Sequence, residues 1–212
     1  MKRILIADDH VILRQGLKQV LSQGMRDVIF GEAGDAPEAL ALLRKQEWDV
    51  LLLDVNMPGR SGFEVLADAI RDFPHLQVLI LSSIPEEIIG LRAIKGGAAG
   101  YLNKHTSAER LIEAVETVLG GGRFISPALA NMLAAEFQQT GGRPRHELLS
   151  VRELQVFHLI TAGKTVKEIA VELSLSSKTI STFRSRIFDK LGLRNDVELV
   201  RYAHQHGLIQ ND

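Results

Sequence analysis

From Met1 to about Gly120, short apolar runs alternate with amphipathic stretches of ten or more residues. The runs "RILIAD", "VIFGEA", "DVLLLD", "QVLILS" and "AAGYLN" read as strands. Between and after them, "VILRQGLKQVLS", "APEALALLRKQ", "GFEVLADAIRD", "PEEIIGLRAIKGG" and "SAERLIEAVETVLGG" space their apolar residues as helices do. Val50 to Leu53 are apolar without alternation, the habit of a strand buried on both faces of a parallel sheet. Strands and helices in strict alternation predict an α/β doubly wound sheet of five parallel strands.

After Gly120-Gly121-Gly122 the pattern changes. "SPALANMLAAEFQQ" predicts one connecting helix, with Ser126 as N-cap and Pro127 at the first helical position. "QTGGRPRHE" has no apolar period and reads as a flexible linker. From Leu148 onward every pattern is helical: "SVRELQVFHLITAG", "TVKEIAVELS", "SSKTISTFRSRIFDKLG" and "DVELVRYAHQHG". Ser150 and Glu153 have capping-box spacing, and Gly163 and Gly192 stand where helices should stop. The expected organisation is an α/β domain over 1–120, a helix and linker over 121–147, and a small all-α domain of four helices over 148–212.

Composition narrows the class. Hydrophobic residues make up 45% of the 212 and charged residues 24%, the balance of a globular protein with a sizeable core. The absence of cysteine excludes disulfides and thiolate metal sites. Asp8 and Asp9 break the first apolar run too early for a signal peptide, and no run is long enough to cross a bilayer. A cytoplasmic location with no membrane partner is the expectation. A net charge of −1 excludes a uniformly basic nucleic-acid coat but hides local clusters.

One such cluster is acidic. Asp54 closes the apolar run "DVLLLD", where a buried carboxylate is costly unless a cation, a donor or chemistry accounts for it. In a doubly wound sheet, ligands gather beyond the carboxyl ends of the strands. Asp8 and Asp9 end the first strand, Ser82 the fourth, and Lys104 follows the fifth, so all should meet Asp54 at one sheet edge. Crowded carboxylates call for a hard divalent cation such as Mg²⁺, which takes carboxylates, carbonyls and waters. Asp9, Asp54 and the backbone carbonyl of Asn56 are the expected direct ligands, with Asp8 binding directly or through water. Cation, ammonium and hydroxyl together suit phosphoryl transfer, and an aspartate can itself be the nucleophile.

"ADDH", "LLLDVNMPG", "LILSS" and "AAGYLNK" resemble the receiver domain of bacterial two-component response regulators, a flavodoxin-like fold, across residues 1–120. The resemblance implies Asp54 as phosphoacceptor, Asp8 and Asp9 as the Mg²⁺ acidic pair and Lys104 as the phosphate-pairing lysine. It makes Ser82 the switch hydroxyl and Tyr101 the switch aromatic. Many receivers place proline after the lysine, with a cis bond. His105 stands there instead, where a cis bond would cost about 2.5–4 kcal/mol.

The second cluster is basic. Lys178, Arg184, Arg186, Lys190 and Arg194 crowd into "SSKTISTFRSRIFDKLGLR", opposed only by Asp189. Ile180, Phe183, Ile187 and Leu191 should face the core. The outer face then carries Lys178, Ser181, Thr182, Ser185 and Asp189, with Arg184 and Arg186 at its flanks. Such a helix can enter a major groove. "SLSS" joins it to the preceding helix as a helix-turn-helix requires. With "LSVRELQVFHLITAGKTVKEIA" and "KLGLRNDVELVRYA", the segment resembles the LuxR-type DNA-binding domain. Carried over by position, Ser181, Thr182 and Ser185 are base-reading candidates. Lys178, Thr179, Arg184, Arg186 and Lys190 are phosphate contacts or supports. Thr165 reads as a cap and Glu153 as structural.

Receiver, linker helix and LuxR-type domain in this order resemble the NarL/FixJ class. The resemblance implies a sensor histidine kinase as phosphodonor, double-stranded promoter DNA as target, and a homodimer on neighbouring half-sites after phosphorylation. It implies a regulator, not an enzyme, apart from slow self-dephosphorylation. Two alternatives share parts of this pattern. An aspartyl-phosphate phosphohydrolase uses the same groups but carries D-x-D, where this chain has Asn56. A phosphorylation-independent DNA binder would carry a vestigial receiver.

Overall fold

A computed structural model describes residues 1–57, 60–138, 145–206 and 208–209. The chain divides into two compact units, Met1–Glu136 and Phe137–Asp212. In the first, strands β1 (Lys2–Ala7), β2 (Val28–Ala33), β3 (Val50–Leu53), β4 (Gln77–Ser82) and β5 (Gly100–Asn103) form one parallel sheet in the order β2-β1-β3-β4-β5. This is the flavodoxin-like winding, and strand order reverses between β1 and β3. All four residues of β3 are buried, as the unbroken apolar run predicts.

Helices α1 (Val11–Gly24), α2 (Ala36–Lys45), α3 (Gly62–Asp72), α4 (Glu86–Lys95) and α5 (Ala108–Leu119) link and flank the strands. Leu17 and Leu21 of α1, with Leu111 and Val115 of α5, close over Ile4, Ile6, Val50, Leu52, Leu79 and Leu81. The intervening residues Leu5, Leu51, Leu53 and Ile80 point to the opposite layer and are equally buried, which is the period-two signature of a sheet covered on both sides. Gly62 opens α3 where a Cβ would stand 2.4 Å from the backbone oxygen of Asp54. Only glycine lets that helix start so close to the end of β3.

Beyond α5 the chain returns to the sheet. Phe124 N–H donates to Ala99 O at 2.9 Å, and its carbonyl accepts from Tyr101 N–H at 3.4 Å, alongside β5. Helix α6 (Pro127–Gln138) follows, its start capped by Ser126 Oγ accepting from Leu129 N–H at 3.0 Å. The sequence places this helix but not its docking site, which is α4. Leu129 is fully buried against Gly90, Ser126 Oγ bonds Glu86 at 2.5 Å, and Lys95 pairs with Glu136.

In the second unit, α7 (Val151–Thr161), α8 (Val166–Glu172), α9 (Ser177–Leu191) and α10 (Asp196–Gln205) enclose Phe157, Ile169, Ile180, Ile187 and Leu199. Both halves of the Ser150–Glu153 capping box form, and Thr165 with Glu168 builds a second one. α9 ends at Gly192 with φ +70°, the left-handed conformation glycine adopts without strain. The linker reading over 139–144 lies outside the described residues. Its last part differs from expectation: Arg145–Leu148 form a single turn of 3-10 helix. Arg145 donates to Leu191 O at 3.1 Å, and His146 N–H donates to Tyr202 Oη at 3.1 Å, so partners distant in sequence order residues that have no periodicity of their own.

Candidate functional site

The residues predicted from the ends of β1 and β3 and from the turn after β5 converge at the reversal between β1 and β3, while Ser82 closes the neighbouring β4. Asp54 N–H donates to Ala7 O at 2.8 Å, which fixes the turn after β3 beside the acidic pair after β1. Asp54 and Asp8 are each only 1% exposed, Ser82 is fully buried, and Asp9 is exposed. Lys104 Nζ donates to Asp54 Oδ2 at 2.8 Å and lies 2.6 Å from Asp8 Oδ2. Asp54 Oδ1 accepts from Asn56 N–H at 3.0 Å. Among the described residues there is no cis peptide bond, so Lys104–His105 is trans and the lysine is aimed without one.

The electrostatics of the site follow from burial and the charges crowded into it. Burial pushes the Asp54 carboxyl above the usual carboxylate range, and Lys104 pulls it only part of the way back. Burial also works against the Lys104 ammonium, yet Asp54 and Asp8 outweigh it and raise its pKa. The two shifts differ in cause: burial dominates at Asp54, and the neighbouring carboxylates together dominate at Lys104. Two buried carboxylates, Asp54 and Asp8, share the Lys104 ammonium, which leaves the lysine rich in partners and the burial of Asp54 only partly compensated. Added positive charge is what the arrangement calls for. Donor atoms of Asp8, Asp9, His10 and Asp54 all lie within 4.8 Å of one another, a spacing one cation can span.

Ser82 and Tyr101 meet through Ile84. Ser82 Oγ accepts from Ile84 N–H at 3.2 Å, while the Tyr101 hydroxyl donates to Ile84 O. Tyr101 is 3% exposed, and burial raises its phenol pKa, so it stays a neutral donor. Ile84 lies two residues before the start of α4, so the hydroxyl and the aromatic both hold the loop that launches that helix.

In the second unit, α8, the turn through Ser174 (φ +52°) and α9 form the predicted helix-turn-helix. Ser176 caps α9, its Oγ accepting from Thr179 N–H at 3.0 Å and bonding the Thr179 hydroxyl at 2.8 Å. Lys178, Ser181, Thr182, Ser185 and Arg186 are exposed along one side. Ser181 and Thr182 donate to the helix carbonyls of Ser177 and Lys178, at 2.9 and 3.0 Å, so their oxygens face outward as acceptors. Two of the cations are bound inside the unit. Arg184 makes a two-pronged contact with Asp196 at 3.0 and 2.9 Å and lies over the Phe188 ring. Lys190 donates to Glu153 Oε2 at 2.6 Å and to Leu148 O at 3.2 Å. Glu153 is 3% exposed; burial would raise its carboxyl, but Lys190 and the Ser150 N–H hold it low.

Sequence reasoning missed His10, which stands beside the acidic pair, and the internal partners of Arg184 and Lys190. The triplet "DDH" carried a signal for the first. Nothing local marks Asp196 or Glu153 as partners.

Residues 4–116 match the family described as response regulator receiver domain, and residues 147–203 match bacterial regulatory proteins of the luxR family. The chain belongs to the response regulators. Like other members with this pair of domains, it is a DNA-binding transcription regulator. Response regulator GacA of Pseudomonas viridiflava is 36% identical over 210 residues, covering 99% of this chain and 98% of the relative. RcsB of Salmonella enterica serovar Typhimurium, solved bound to promoter rprA with phosphomimetic BeF3⁻, is 28% identical with TM-score 0.60, covering 96% of this chain and 99% of that one. A structure of two RcsB dimers bound to two parallel DNAs is 28% identical with TM-score 0.59, covering 96% and 98%. Among the described residues, no helix of this response regulator is long and apolar enough to cross a membrane.

Proposed function

We propose that Asp54 is the phosphoacceptor of this response regulator and that a sensor histidine kinase is its donor. One Asp54 carboxylate oxygen attacks phosphorus, the P–N bond of the donor phosphohistidine breaks, and the electron pair leaves with the imidazole. The product is an acyl phosphate. The observation that carries this reading is the Lys104 ammonium held between Asp54 and Asp8 at a buried sheet edge. It neutralises charge at the spot where phosphoryl oxygens would arrive, and neutralisation with positioning is most of what this chemistry needs.

Mg²⁺ fits the site, on the shortage of positive charge and the clustered oxygens. Asp9, Asp54 and the carbonyl of Asn56 would hold it, with Asp8 direct or through water. When bound, it supplies Lewis-acid neutralisation of the phosphoryl oxygens. Asn56 offers no acid or base for turnover, so the acyl phosphate is lost only by slow self-hydrolysis.

Ser82 and Tyr101 form the readout. A phosphoryl group on Asp54 offers Ser82 an acceptor, and the hydroxyl turns from Ile84 N–H to donate to it. Tyr101 then gives up its bond to Ile84 O and turns inward, and the start of α4 rearranges. Phosphorylation thereby promotes a homodimer that places two copies of α9 in neighbouring major grooves of cytoplasmic promoter DNA. Ser181, Thr182 and Ser185 face base edges, Lys178, Thr179 and Arg186 the phosphates, with Arg184 and Lys190 as supports. The RcsB dimers on DNA and the RcsB–promoter complex with a phosphomimetic support this reading.

Acetyl phosphate with Mg²⁺ should retard the wild-type chain on a phosphate-affinity gel and leave Asp54→Asn unshifted. It should also strengthen promoter binding in a mobility-shift assay. Equal promoter binding by Asp54→Ala and the treated wild type would refute phosphorylation control.

A further inference from the structure

We propose that His10 is a direct ligand of the cation at the phosphoacceptor site and widens its choice of metal from Mg²⁺ toward borderline transition ions such as Mn²⁺, Co²⁺ and Zn²⁺. The inference rests on the cation reading above and concerns which ions the site prefers.

Three observations carry it. His10 occupies the N-cap position of α1, yet its side chain makes no capping hydrogen bond to the helix. The imidazole turns back over the acidic pair, with Nδ1 2.8 Å from Asp9 Oδ1 and 3.1 Å from Asp8 Oδ1. Its nitrogen also belongs to the group of donor atoms lying within 4.8 Å of one another. Ligands on opposite sides of an ion at about 2.1 Å are about 4.2 Å apart, so small rotations of the side chains close the set.

The backbone beneath is held for this purpose. His10 N–H donates to Asp8 Oδ1 at 2.8 Å, and Arg14 Nη1 donates to Asp8 O at 2.5 Å. The His10 side chain is 68% exposed, so an entering ion reaches it without opening the core. Its chemistry sets the direction of the preference. Mg²⁺ takes oxygen donors and waters and gains little from an imidazole, whereas borderline ions bind nitrogen well. A site of carboxylates alone discriminates weakly among these ions; one added nitrogen shifts the ratio.

The same contacts would arise if the imidazole were only a counter-ion to Asp8 and Asp9. The two roles predict opposite signs. A counter-ion competes with every cation alike, so its removal tightens binding of all of them. A ligand helps the borderline ions selectively, so its removal weakens those alone.

The test titrates the full-length protein, His10→Ala and His10→Gln with Mg²⁺ and, separately, with Co²⁺ by calorimetry. Only Co²⁺ that excess Mg²⁺ displaces is counted. Histidine imidazole NMR signals are followed during the Co²⁺ titration. Expected is a loss of about ten-fold or more in Co²⁺ affinity with Mg²⁺ affinity within about two-fold, in both variants. In the wild type, one imidazole signal, absent from His10→Ala, should shift or broaden at the first equivalent. Unchanged affinities, equal changes for both ions, or tighter binding of both would overturn the role of His10 and leave the Mg²⁺ site standing. Failure of the wild type to bind either ion would overturn the cation reading itself, and this inference with it.

Discussion

Replacing Lys190 with methionine keeps most of the apolar stem and removes the ammonium. Glu153, 3% exposed, then loses its charged partner while keeping the Ser150 N–H at 2.6 Å. A charge-assisted hydrogen bond of this kind contributes about 1.5–3 kcal/mol, and the bond to Leu148 O about 1 kcal/mol more. The lysine side chain is 38% exposed, so solvent screening trims the total to about 2 kcal/mol. Opening of α7 and α9 should therefore become about thirty-fold more frequent, read as faster amide hydrogen exchange in those helices of the full-length chain. The lowered Glu153 pKa adds a pH signature. Its stabilising share is present above the unfolded carboxylate value and fades as pH falls through the lower folded one, so the gap between wild type and variant narrows in acid. Glu153→Gln combined with Lys190→Met should recover part of the loss, since a neutral amide tolerates burial better than an unpaired carboxylate. Exchange rates within two-fold of wild type, together with a DNA affinity that drops and loses salt dependence, would refute the internal role of Lys190 and place it on phosphate.

Other substitutions probe other layers. Arg186→Ala should leave exchange unchanged while lowering promoter affinity uniformly and reducing the salt slope by about one, measured by mobility shift across a salt series. His158 is mostly buried with Nε2 unbonded, and burial, with His146 nearby, lowers its pKa from 6.5 to about 4. The unfolded chain takes up its proton first, so the second unit loses up to about 2 kcal/mol as pH falls from 7 to 5, and His158→Leu should flatten that window in hydrogen exchange. Leu129→Ala should cost about 2–4 kcal/mol of α6 docking, seen as faster exchange confined to α6 and the facing side of α4. Gly62→Ala drives a Cβ into Asp54 O and should destabilise the first unit by about 1–3 kcal/mol in thermal melts.

The sheet was legible because Val50 to Leu53 leave no alternation, and a strand that is apolar at every position must be covered on both sides. From that sheet the meeting of Asp8, Asp54 and Lys104 at one edge followed, since strand ends gather there whatever their separation in the chain. Of the four α9 residues expected at the core from helical spacing, Ile180, Ile187 and Leu191 are buried, while Phe183 is only partly covered. What stayed hidden depends on which surfaces meet. Lys190 and Glu153 are 37 residues apart, and Arg184 and Asp196 are 12 apart on different helices, so no local pattern pairs them. Charge placement thus told where cations cluster but not which were already taken. Docking of α6 on α4 escaped for the same reason: Gly90 and Leu129 fit each other only after both helices exist.

The return of Phe124 to the sheet has a consequence for solubility. A five-stranded open sheet ends in two rows of unpaired peptide groups, each a template on which a second molecule can add a strand. Along β5, Phe124 occupies those groups at Ala99 and Tyr101. A single residue of connecting chain thereby blunts the margin at which β5 would otherwise offer its peptide groups to another molecule.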